Sequence, residues 1–366
     1  MRTGRKIFLK DIVNWTGCKI IGTYGNLNMD EIANYFIDSI STDSRTLNNG
    51  DFFIPVEGKN YDGHDFISEA VKKGCSGFVF EEKHSATLNH LINNLNKSLS
   101  KNFFILKSEN NINFLLSLAE KYIRQFSVKV IGITGSSGKT TTKDFLVNIL
   151  SEDYKIKYTP KNFNTEIGIS LAVLELDEST QFFIAEIGMR AKGQIKLLSN
   201  VLNIDMGAIT SVGASHLEFF SSVEEIAMAK AELIDVISLK KGAVFLNADD
   251  KWTDCILNYI NDRALNIRVI KFGRNNNLEF SFIENAFDDY GRYSYQFFNF
   301  FKKLCDIKLK VPGYHNIYNA TCASAISCHL GVAPDKIKSG VEKTVSGENR
   351  MAIFDKNNKT LINDCY

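Results

Sequence analysis

The sequence has no long apolar stretch. Across its 366 residues, no run approaches the roughly 18 apolar residues that a membrane-spanning helix needs. The amino-terminal segment MRTGRKIFLKDIVNW also lacks the apolar centre of a secretory signal peptide. We therefore expect a cytoplasmic protein without a membrane span.

Paired cysteines and an excess of one charge are missing as well. The seven cysteines are an odd number and include no C-x-x-C pair, which argues for reduced thiols and against a disulfide framework or a zinc site. Lysine and arginine total 43, and aspartate and glutamate total 42. Such a balance gives no global field to attract nucleic acid. Any phosphate binding must therefore be local, and we expect no nucleic-acid partner.

Length and periodicity predict an α/β protein with more than one domain. No low-complexity linker or internal repeat appears, and a polar KSENN step places the first domain boundary near residue 109. With the second boundary that the family resemblance described below implies, the predicted domains are 1–108, 109–345 and 346–366. From residue 128 onward strands alternate with helices, which is typical of a mainly parallel sheet covered by helices. Aromatic alternation between 278 and 311 indicates antiparallel hairpins at the sheet edge.

Residues 128–150 have the pattern of a phosphate-binding loop. The stretch VKVIGITGSSGKTTTKDFLVNIL predicts a strand, a tight loop and a helix. Gly135 and Gly138 allow backbone N–H groups to turn inward, where the positive end of the new helix also lies. Lys139 adds a charge for β- and γ-phosphates, and Thr140 offers a hydroxyl to Mg²⁺. The first glycine of the usual G-x-x-x-x-G-K-[ST] spacing is missing, so a plain glycine-rich turn is the alternative.

Other polar groups fall at the predicted carboxyl ends of strands, where ligands bind in such folds. Glu186 closes FFIAEIG and suits Mg²⁺, which prefers oxygen ligands; a helix-capping or solvated glutamate is the alternative. His216 follows MGAITSVGAS, and a KNFN segment precedes the apolar residues 167–176. Lys230 lies on a predicted helix, where the pattern alone favours a surface lysine whose stem covers apolar neighbours.

The first domain carries a second polar group of residues. Ser44 and Arg45 lie before a predicted strand, and Asp62, Gly63 and His64 open a helix after it. Hydroxyls, an arginine and a helix amino terminus suit an anionic ligand such as a diphosphate. In the alternative interpretation, an aspartate caps the helix and His64 is a hydrogen-bonded surface side chain.

Seven segments together resemble the Mur ligase family over nearly the whole chain. They are GITGSSGKTTTKDFL, KNFNTEIGISL, AEIGMRAKGQI, GASHLEFFSSVEEIAMAKAELI, NADD, PGYHNIYNA and DSRTLNNGDFFIPVEGKNYDGHDFISEA. The resemblance implies a small UDP-sugar-binding α/β domain, a central P-loop ATPase-type domain and a third, Rossmann-like domain. We expect this third domain to be almost entirely missing from the 366 residues.

The resemblance also implies an activity. The expected reaction is ATP-dependent ligation of D-Ala-D-Ala to UDP-MurNAc-tripeptide in peptidoglycan synthesis, through an acyl phosphate, by a monomer. The segment AEIGMRAKGQI favours this step over that of the tripeptide-building sister ligase, which usually has Ser-Ser-His where this chain has Gly188, Met189 and Arg190. The alternatives are that sister, a folylpolyglutamate synthase, or a nucleotide-binding fragment without turnover.

Site residues are carried over from the resemblance. The ATP-binding residues implied are Gly135, Ser136, Ser137, Gly138, Lys139, Thr140, Thr141, Asn162, His315, Asn316, Asn319, Arg350 and Asp364. The substrate-binding residues implied are Ser44, Arg45, Asp62, Gly63, His64 and Asn164. Two Mg²⁺ ions are implied on Thr140, Glu186, His216 and Lys230, the last as a CO₂-derived carbamate. Lys139, His216 and Lys230 are the implied catalytic residues.

Overall fold

The chain folds into two compact units. A computed structural model describes residues 1–24, 32, 34–85, 103–160, 163–215, 217–347, 352–356 and 359–364. The first unit comprises Met1–Ser127 with Glu166–Glu178, and the second comprises Val128–Thr165 with Ser179–Tyr366. The packing division thus falls after Ser127, and the domain boundary near residue 109 stays a prediction.

The first unit is built on a six-stranded sheet in the order β1-β3-β4-β5-β6-β2. Its strands are β1 (Arg2–Phe8), β2 (Lys19–Tyr24), β3 (Phe36–Ser41), β4 (Phe52–Phe53), β5 (Gly77–Glu81) and β6 (Phe103–Ser108). Its helices are α1 (Leu9–Thr16), α2 (Ile67–Lys72), α3 (Asn111–Ile123) and α5 (Glu166–Leu174), with 3-10 turns at Gly63–Phe66 and Glu82–His84. The four inner strands run parallel, and both edge strands are antiparallel to their neighbours.

Two local features of the first unit follow from single residues. The strand predicted between Arg45 and Asp62 is observed only at Phe52–Phe53, and Pro55 has no N–H group to continue the ladder. Asn110 caps α3 by accepting a hydrogen bond from the N–H of Asn113 at 2.9 Å. The hydroxyl of Tyr122, on α3, donates to the carbonyl of Leu176 just beyond α5, which ties the segment 166–178 to this unit.

The second unit is built on a nine-stranded sheet in the order β15-β14-β13-β12-β11-β10-β7-β9-β8. Its strands are β7 (Lys129–Thr134), β8 (Ile156–Tyr158), β9 (Phe182–Glu186), β10 (Met206–Ile209), β11 (Ala243–Asn247), β12 (Arg268–Gly273), β13 (Phe280–Phe287), β14 (Tyr293–Asn299) and β15 (Lys302–Lys308), with a separate hairpin of β16 (Ala352–Lys356) and β17 (Lys359–Asn363). Its helices are α4 (Lys139–Leu150), α6 (Gln194–Leu202), α7 (Val223–Leu239), α8 (Thr253–Asp262), α9 (His315–His329) and α10 (Pro334–Lys343).

The sheet of the second unit confirms the predicted architecture. Neighbouring strands from β8 to β13 are parallel, and β13, β14 and β15 form the antiparallel meander expected at the edge. Strand β7 lies between β9 and β10. The connection that leaves β7 runs to β8 on one side of the sheet, whereas the connection that leaves its neighbour β10 runs to β11 on the other side. A crevice therefore opens at the carboxyl end of β7, the usual ligand position in such sheets. No helix among the described residues is long and apolar enough to cross a membrane.

Candidate active site

The loop between β7 and α4 has the backbone of an anion cradle. Gly138 has φ of +83°, and a Cβ atom there would lie 2.3 Å from Asn319 Oδ1, so this position requires glycine. Helix α4 begins at Lys139, so the N–H groups of its first turn and its positive dipole end lie at the loop. Lys139 Nζ donates to the carbonyl of Gly135 at 2.8 Å, which holds its charge against the same loop.

The segment after β10 holds the loop from one side. Ser136 N donates to the carbonyl of Ser211 at 2.8 Å, and the hydroxyls of Ser136 and Ser215 are 3.0 Å apart. Thr210 Oγ1 donates to the carbonyl of Ser137 at 2.5 Å. The loop is thus fixed by hydrogen bonds before any ligand binds, which lowers the cost of ordering it around an anion.

Glu186 lies beside the loop as a buried carboxylate. Thr140 Oγ1 donates to its Oε2 at 2.6 Å, and Asn164 Nδ2 donates to its Oε1 at 3.0 Å. The backbone N–H of Glu186 donates to Thr159 Oγ1 at 2.8 Å. This burial excludes the alternative of a solvated glutamate. A carboxylate next to a threonine hydroxyl at the end of a phosphate loop is a donor set suited to Mg²⁺.

Lys230 is buried in the middle of α7, with 2% of its surface exposed. The pattern-based expectation of a surface lysine is wrong because residues on more than one side of α7 are buried. Burial, together with the nearby charge of Lys139, lowers the pKa of Lys230 to about 7. Among the described residues, no carboxylate forms an ion pair with it. The amine is therefore substantially neutral near pH 7.

The phosphate loop, the first turn of α4 and Glu186 line a cleft of about 440 Å³, whereas Lys230 is not among its lining residues. Most of the predicted nucleotide and metal ligands that the structure describes line it, namely Ser136, Ser137, Gly138, Lys139, Thr140, Thr141, Glu186, His315, Asn316 and Asp364. Asn164, predicted as a substrate ligand, lines the same cleft. The sequence interpretation missed Asp144 and residues 344–347, which also line the cleft. Asp144 follows Thr140 by four residues on α4, so helical spacing was a usable signal. Three predicted residues, Asn162, His216 and Arg350, lie outside the described residues.

The amino-terminal turns of α9 close another side of the cleft. Asn316 Nδ2 donates to the carbonyl of Pro312 at 2.7 Å, and Asn319 Nδ2 donates to Asn316 Oδ1 at 2.8 Å. Burial lowers the pKa of His315, so its ring is neutral near pH 7. Asn319 lies behind Gly138 and does not line the cleft, which makes it a support of the loop in this structure.

The first unit contains a separate, more open pocket of about 640 Å³. Ser44, Arg45 and Gly63 line it, together with Lys59 and Tyr61, which the sequence interpretation missed. Both missed residues lie inside the motif GKNYDGHDF that carried the resemblance.

Arg45 reaches into solvent, with 84% of its side chain exposed. Its Nε and Nη2 atoms donate to the two carboxylate oxygens of Asp43 at 2.9 and 2.7 Å. These side-chain hydrogen bonds hold the pKa of Asp43 below its ordinary value. The remaining edge of the guanidinium group is available for an anionic ligand.

Asp62 and His64 do not line this pocket. Asp62 Oδ1 accepts hydrogen bonds from the backbone N–H of His64 at 2.9 Å and from its Nδ1 at 2.6 Å, so Asp62 caps the 3-10 turn as the alternative interpretation held. Partial burial acts to raise the pKa of Asp62, but the His64 hydrogen bonds outweigh it and the net pKa is lowered. His64 is buried, not a surface side chain.

His84 completes a three-residue cluster, with Nε2 3.2 Å from Asp62 Oδ2 and its ring stacked on that of His64. Two ligands of one tetrahedral zinc ion are about 3.3 Å apart, whereas His64 Nδ1 and Asp62 Oδ1 are 2.6 Å apart. His64 Nε2 also accepts from the backbone N–H of Glu81 at 3.2 Å, so the proton is on Nδ1. In this structure the cluster is therefore a hydrogen-bonded scaffold.

A P-loop crevice lined by a buried carboxylate is typical of ATP-using enzymes, and Lys230 lies close enough to Lys139 to be affected by its charge. Two family models identify the class as an ATP-dependent ligase. Residues 133–327 match the Mur ligase middle domain, and residues 36–107 match the Mur ligase family catalytic domain. The chain belongs to the Mur ligase family.

Individual relatives narrow the resemblance further. The chain is 29% identical to the UDP-N-acetylmuramoyl-tripeptide–D-alanyl-D-alanine ligase of Bacillus subtilis, over 94% of this chain and 70% of the relative. The crystal structure of MurF from Acinetobacter baumannii superimposes with a TM-score of 0.84 and 25% identity, covering all of this chain and 74% of that one. MurF ligase from Thermotoga maritima in complex with ADP gives a TM-score of 0.74 and 26% identity, over 90% and 71%.

Proposed function

We propose that this chain is the ATP-dependent ligase that joins D-Ala-D-Ala to UDP-MurNAc-tripeptide, the activity named in its relatives. The observation that carries the proposal is the contact of Thr140 and Asn164 with the buried carboxylate of Glu186, directly beside the phosphate loop. A cytoplasmic location and a monomeric state stay predictions.

The residues present fit Mg²⁺ with a triphosphate. Thr140 and Glu186 would hold one ion, because both offer oxygen and Glu186 has no lysine or arginine ion pair among the described residues. His216 and a carbamate on Lys230 would hold the second. Bound Mg²⁺ supplies positive charge that offsets the repulsion between the phosphates and an attacking carboxylate. The lowered pKa of Lys230 supports the carbamate, since only a neutral amine reacts with CO₂.

The protein groups account for the first chemical step. A carboxylate oxygen of the peptide substrate attacks the γ-phosphorus, the bond to the β-phosphate oxygen breaks, and ADP leaves with that electron pair. Lys139 and the amino terminus of α4, which begins at Lys139, would face the negative charge that builds on the transferred phosphoryl group. One charge pair at 4 Å is worth about 4 kcal/mol at an effective dielectric near 20. The loop contacts that fix Lys139 therefore contribute directly to rate.

In the second step the amine of D-Ala-D-Ala attacks the acyl phosphate. The carbon–nitrogen bond forms, the amine loses a proton, and inorganic phosphate leaves. The UDP end of the substrate would lie in the pocket of the first unit, which Ser44 and Arg45 line. Arg45, held by Asp43, is suited to a diphosphate because its free edge offers two parallel N–H donors.

Phosphate release from ATP tests the proposal. The chain is assayed with UDP-MurNAc-tripeptide and D-Ala-D-Ala together and with each alone. Release that requires both supports the proposed ligase. Release with a single amino acid in place of the dipeptide indicates the tripeptide-building sister, and nucleotide binding without release indicates a binding fragment.

A further inference from the structure

Lys143 is a buried lysine that the proposed reaction does not use. It lies in the second turn of α4, immediately after the phosphate loop, and only 1% of its surface is exposed. Removing an ammonium group from water is strongly unfavourable unless protein groups replace its hydrogen bonds to water. The groups that contact the Lys143 ammonium therefore indicate which part of the structure it stabilises.

The partners of Lys143 lie at the end of β8. Lys143 Nζ donates to the carbonyl oxygen of Thr159 at 3.0 Å and lies 3.5 Å from Asp144 Oδ1. It also lies 5.6 Å from the ring centroid of Tyr158. Thr159 follows β8 directly and is completely buried. The lysine thus joins α4 to the end of β8 through a charge-assisted hydrogen bond.

Thr159 in turn holds the main chain of Glu186. Its Oγ1 accepts the hydrogen bond from the N–H of Glu186 at 2.8 Å, and its own N–H donates to the carbonyl of Ile184 at 3.0 Å. The position of the Glu186 backbone therefore depends on a threonine whose carbonyl is fixed by Lys143. Buried hydrogen bonds connected in this way strengthen one another.

Lys143 makes no direct hydrogen bond to the Glu186 carboxylate, within the part of the chain that the structure describes. That carboxylate is bonded to Thr140 and Asn164 instead. The lysine can therefore act on Glu186 only through Thr159, and its removal should leave the carboxylate present but less well fixed.

We propose that Lys143 is a positioning residue for the magnesium–nucleotide centre. Its ammonium fixes the Thr159 peptide, and the Thr159 hydroxyl fixes the backbone of Glu186, so that the carboxylate meets a phosphate-bound ion with little reorganisation. The inference rests on the proposed function in so far as Glu186 holds that ion.

A purely structural role for Lys143 leads to a different expectation. Methionine has a similar length, and removing the cost of burying a charge offsets the cost of leaving the Thr159 carbonyl without its donor. Lys143→Met should then keep the melting temperature and leave the magnesium response unchanged. If Lys143 is a positioning residue, Lys143→Met should keep the melting temperature but need a higher Mg²⁺ concentration for nucleotide binding.

The test measures binding of a fluorescent ATP analogue to the full chain while Mg²⁺ is titrated. Lys143→Met removes the hydrogen bond to the Thr159 carbonyl, and Thr159→Val removes the hydrogen bond that the Thr159 hydroxyl accepts from the N–H of Glu186. Lys157→Met is the matched control, because Lys157 lies on β8 and its ammonium makes no hydrogen bond or ion pair to the described residues. We expect Lys143→Met and Thr159→Val to need about tenfold more Mg²⁺ than the wild type for half-saturation of nucleotide binding. Affinity in EDTA should stay unchanged, and the control should match the wild type.

An unchanged Mg²⁺ midpoint in folded Lys143→Met overturns the inference. If that variant does not fold, Thr159→Val carries the test, and an unchanged midpoint there overturns it equally. An equal loss of affinity with and without Mg²⁺ also overturns it, because that result means a deformed phosphate loop. If nucleotide binding by the wild type does not respond to Mg²⁺, the proposed function itself fails.

Discussion

The two candidate sites of this protein are built in opposite ways. In the second unit, Glu186 and Lys230 are buried, and hydrogen bonds fix the loop beside them. In the first unit, Arg45 is largely exposed and is held by one neighbour, Asp43. Chemistry on a triphosphate needs charges fixed away from water, whereas holding the distant end of a substrate does not. Substitutions should therefore have much larger effects in the crevice than in the open pocket.

The largest effect is expected for Lys139→Met. Removing a cation worth about 4 kcal/mol at the phosphates should lower the turnover number by about a thousandfold or more. Phosphate release with both substrates at saturation is the measurement, and Lys157→Met is the control. Turnover within tenfold of the wild type would contradict the assigned role of Lys139.

Lys230→Met should abolish activity but increase the free energy of unfolding. Below pH 7 the lysine is protonated both folded and unfolded, so the folded state carries the full cost of burying the charge. That cost falls as pH rises from about 7, where the folded lysine loses its proton, towards 10.5, where the unfolded one does. The variant should be inactive but more stable by about 2–4 kcal/mol near pH 6, with the gain vanishing near pH 10.5. Urea unfolding at several pH values measures it, and a pH-independent difference would contradict the assignment.

Glu186→Gln should raise the Mg²⁺ concentration at half-saturation of nucleotide binding by about a hundredfold. The amide keeps the shape of the side chain and removes its charge, so the melting temperature should change little. Magnesium titration of nucleotide binding is the measurement, and the exposed Glu284→Gln provides the control. A normal magnesium midpoint would show that Glu186 is not a metal ligand.

The smallest effect is expected for Arg45→Ala, because solvent screens its interaction with a ligand. UDP affinity, measured by calorimetry, should fall about tenfold, which is the loss expected when one charge-assisted hydrogen bond is removed. ATP affinity should not change, and Arg124→Ala, another exposed arginine of the first unit, should match the wild type. Unchanged UDP affinity would remove Arg45 from the substrate pocket.

Local patterns predicted the parts of the fold that depend on neighbouring residues. The strand, loop and helix at 128–150 and the antiparallel meander are confirmed because periodicity and turn residues decide them within a few positions. The contacts of Glu186 with Thr140 and Asn164 join residues far apart in the sequence. Only the rule that ligands lie at strand ends pointed to them.

Burial was the property that the sequence could not supply. Lys230 and Lys143 both lie on helices whose patterns allow a surface lysine, yet packing on several sides buries them. The helix at 166–174 follows the KNFN segment but packs with the first unit. Residues 344–347 reach the cleft only through tertiary contacts. Each of these outcomes depends on which elements meet, and no local pattern records that.

Transfer of a labelled oxygen tests the central claim most directly. The terminal carboxylate of UDP-MurNAc-tripeptide is labelled with ¹⁸O, and the phosphate released during turnover with ATP and D-Ala-D-Ala is analysed by mass spectrometry. Attack of the carboxylate on the γ-phosphate predicts one ¹⁸O atom in each released phosphate. Phosphate that carries no label would mean that water attacks ATP, and it would contradict ligation through an acyl phosphate in this crevice.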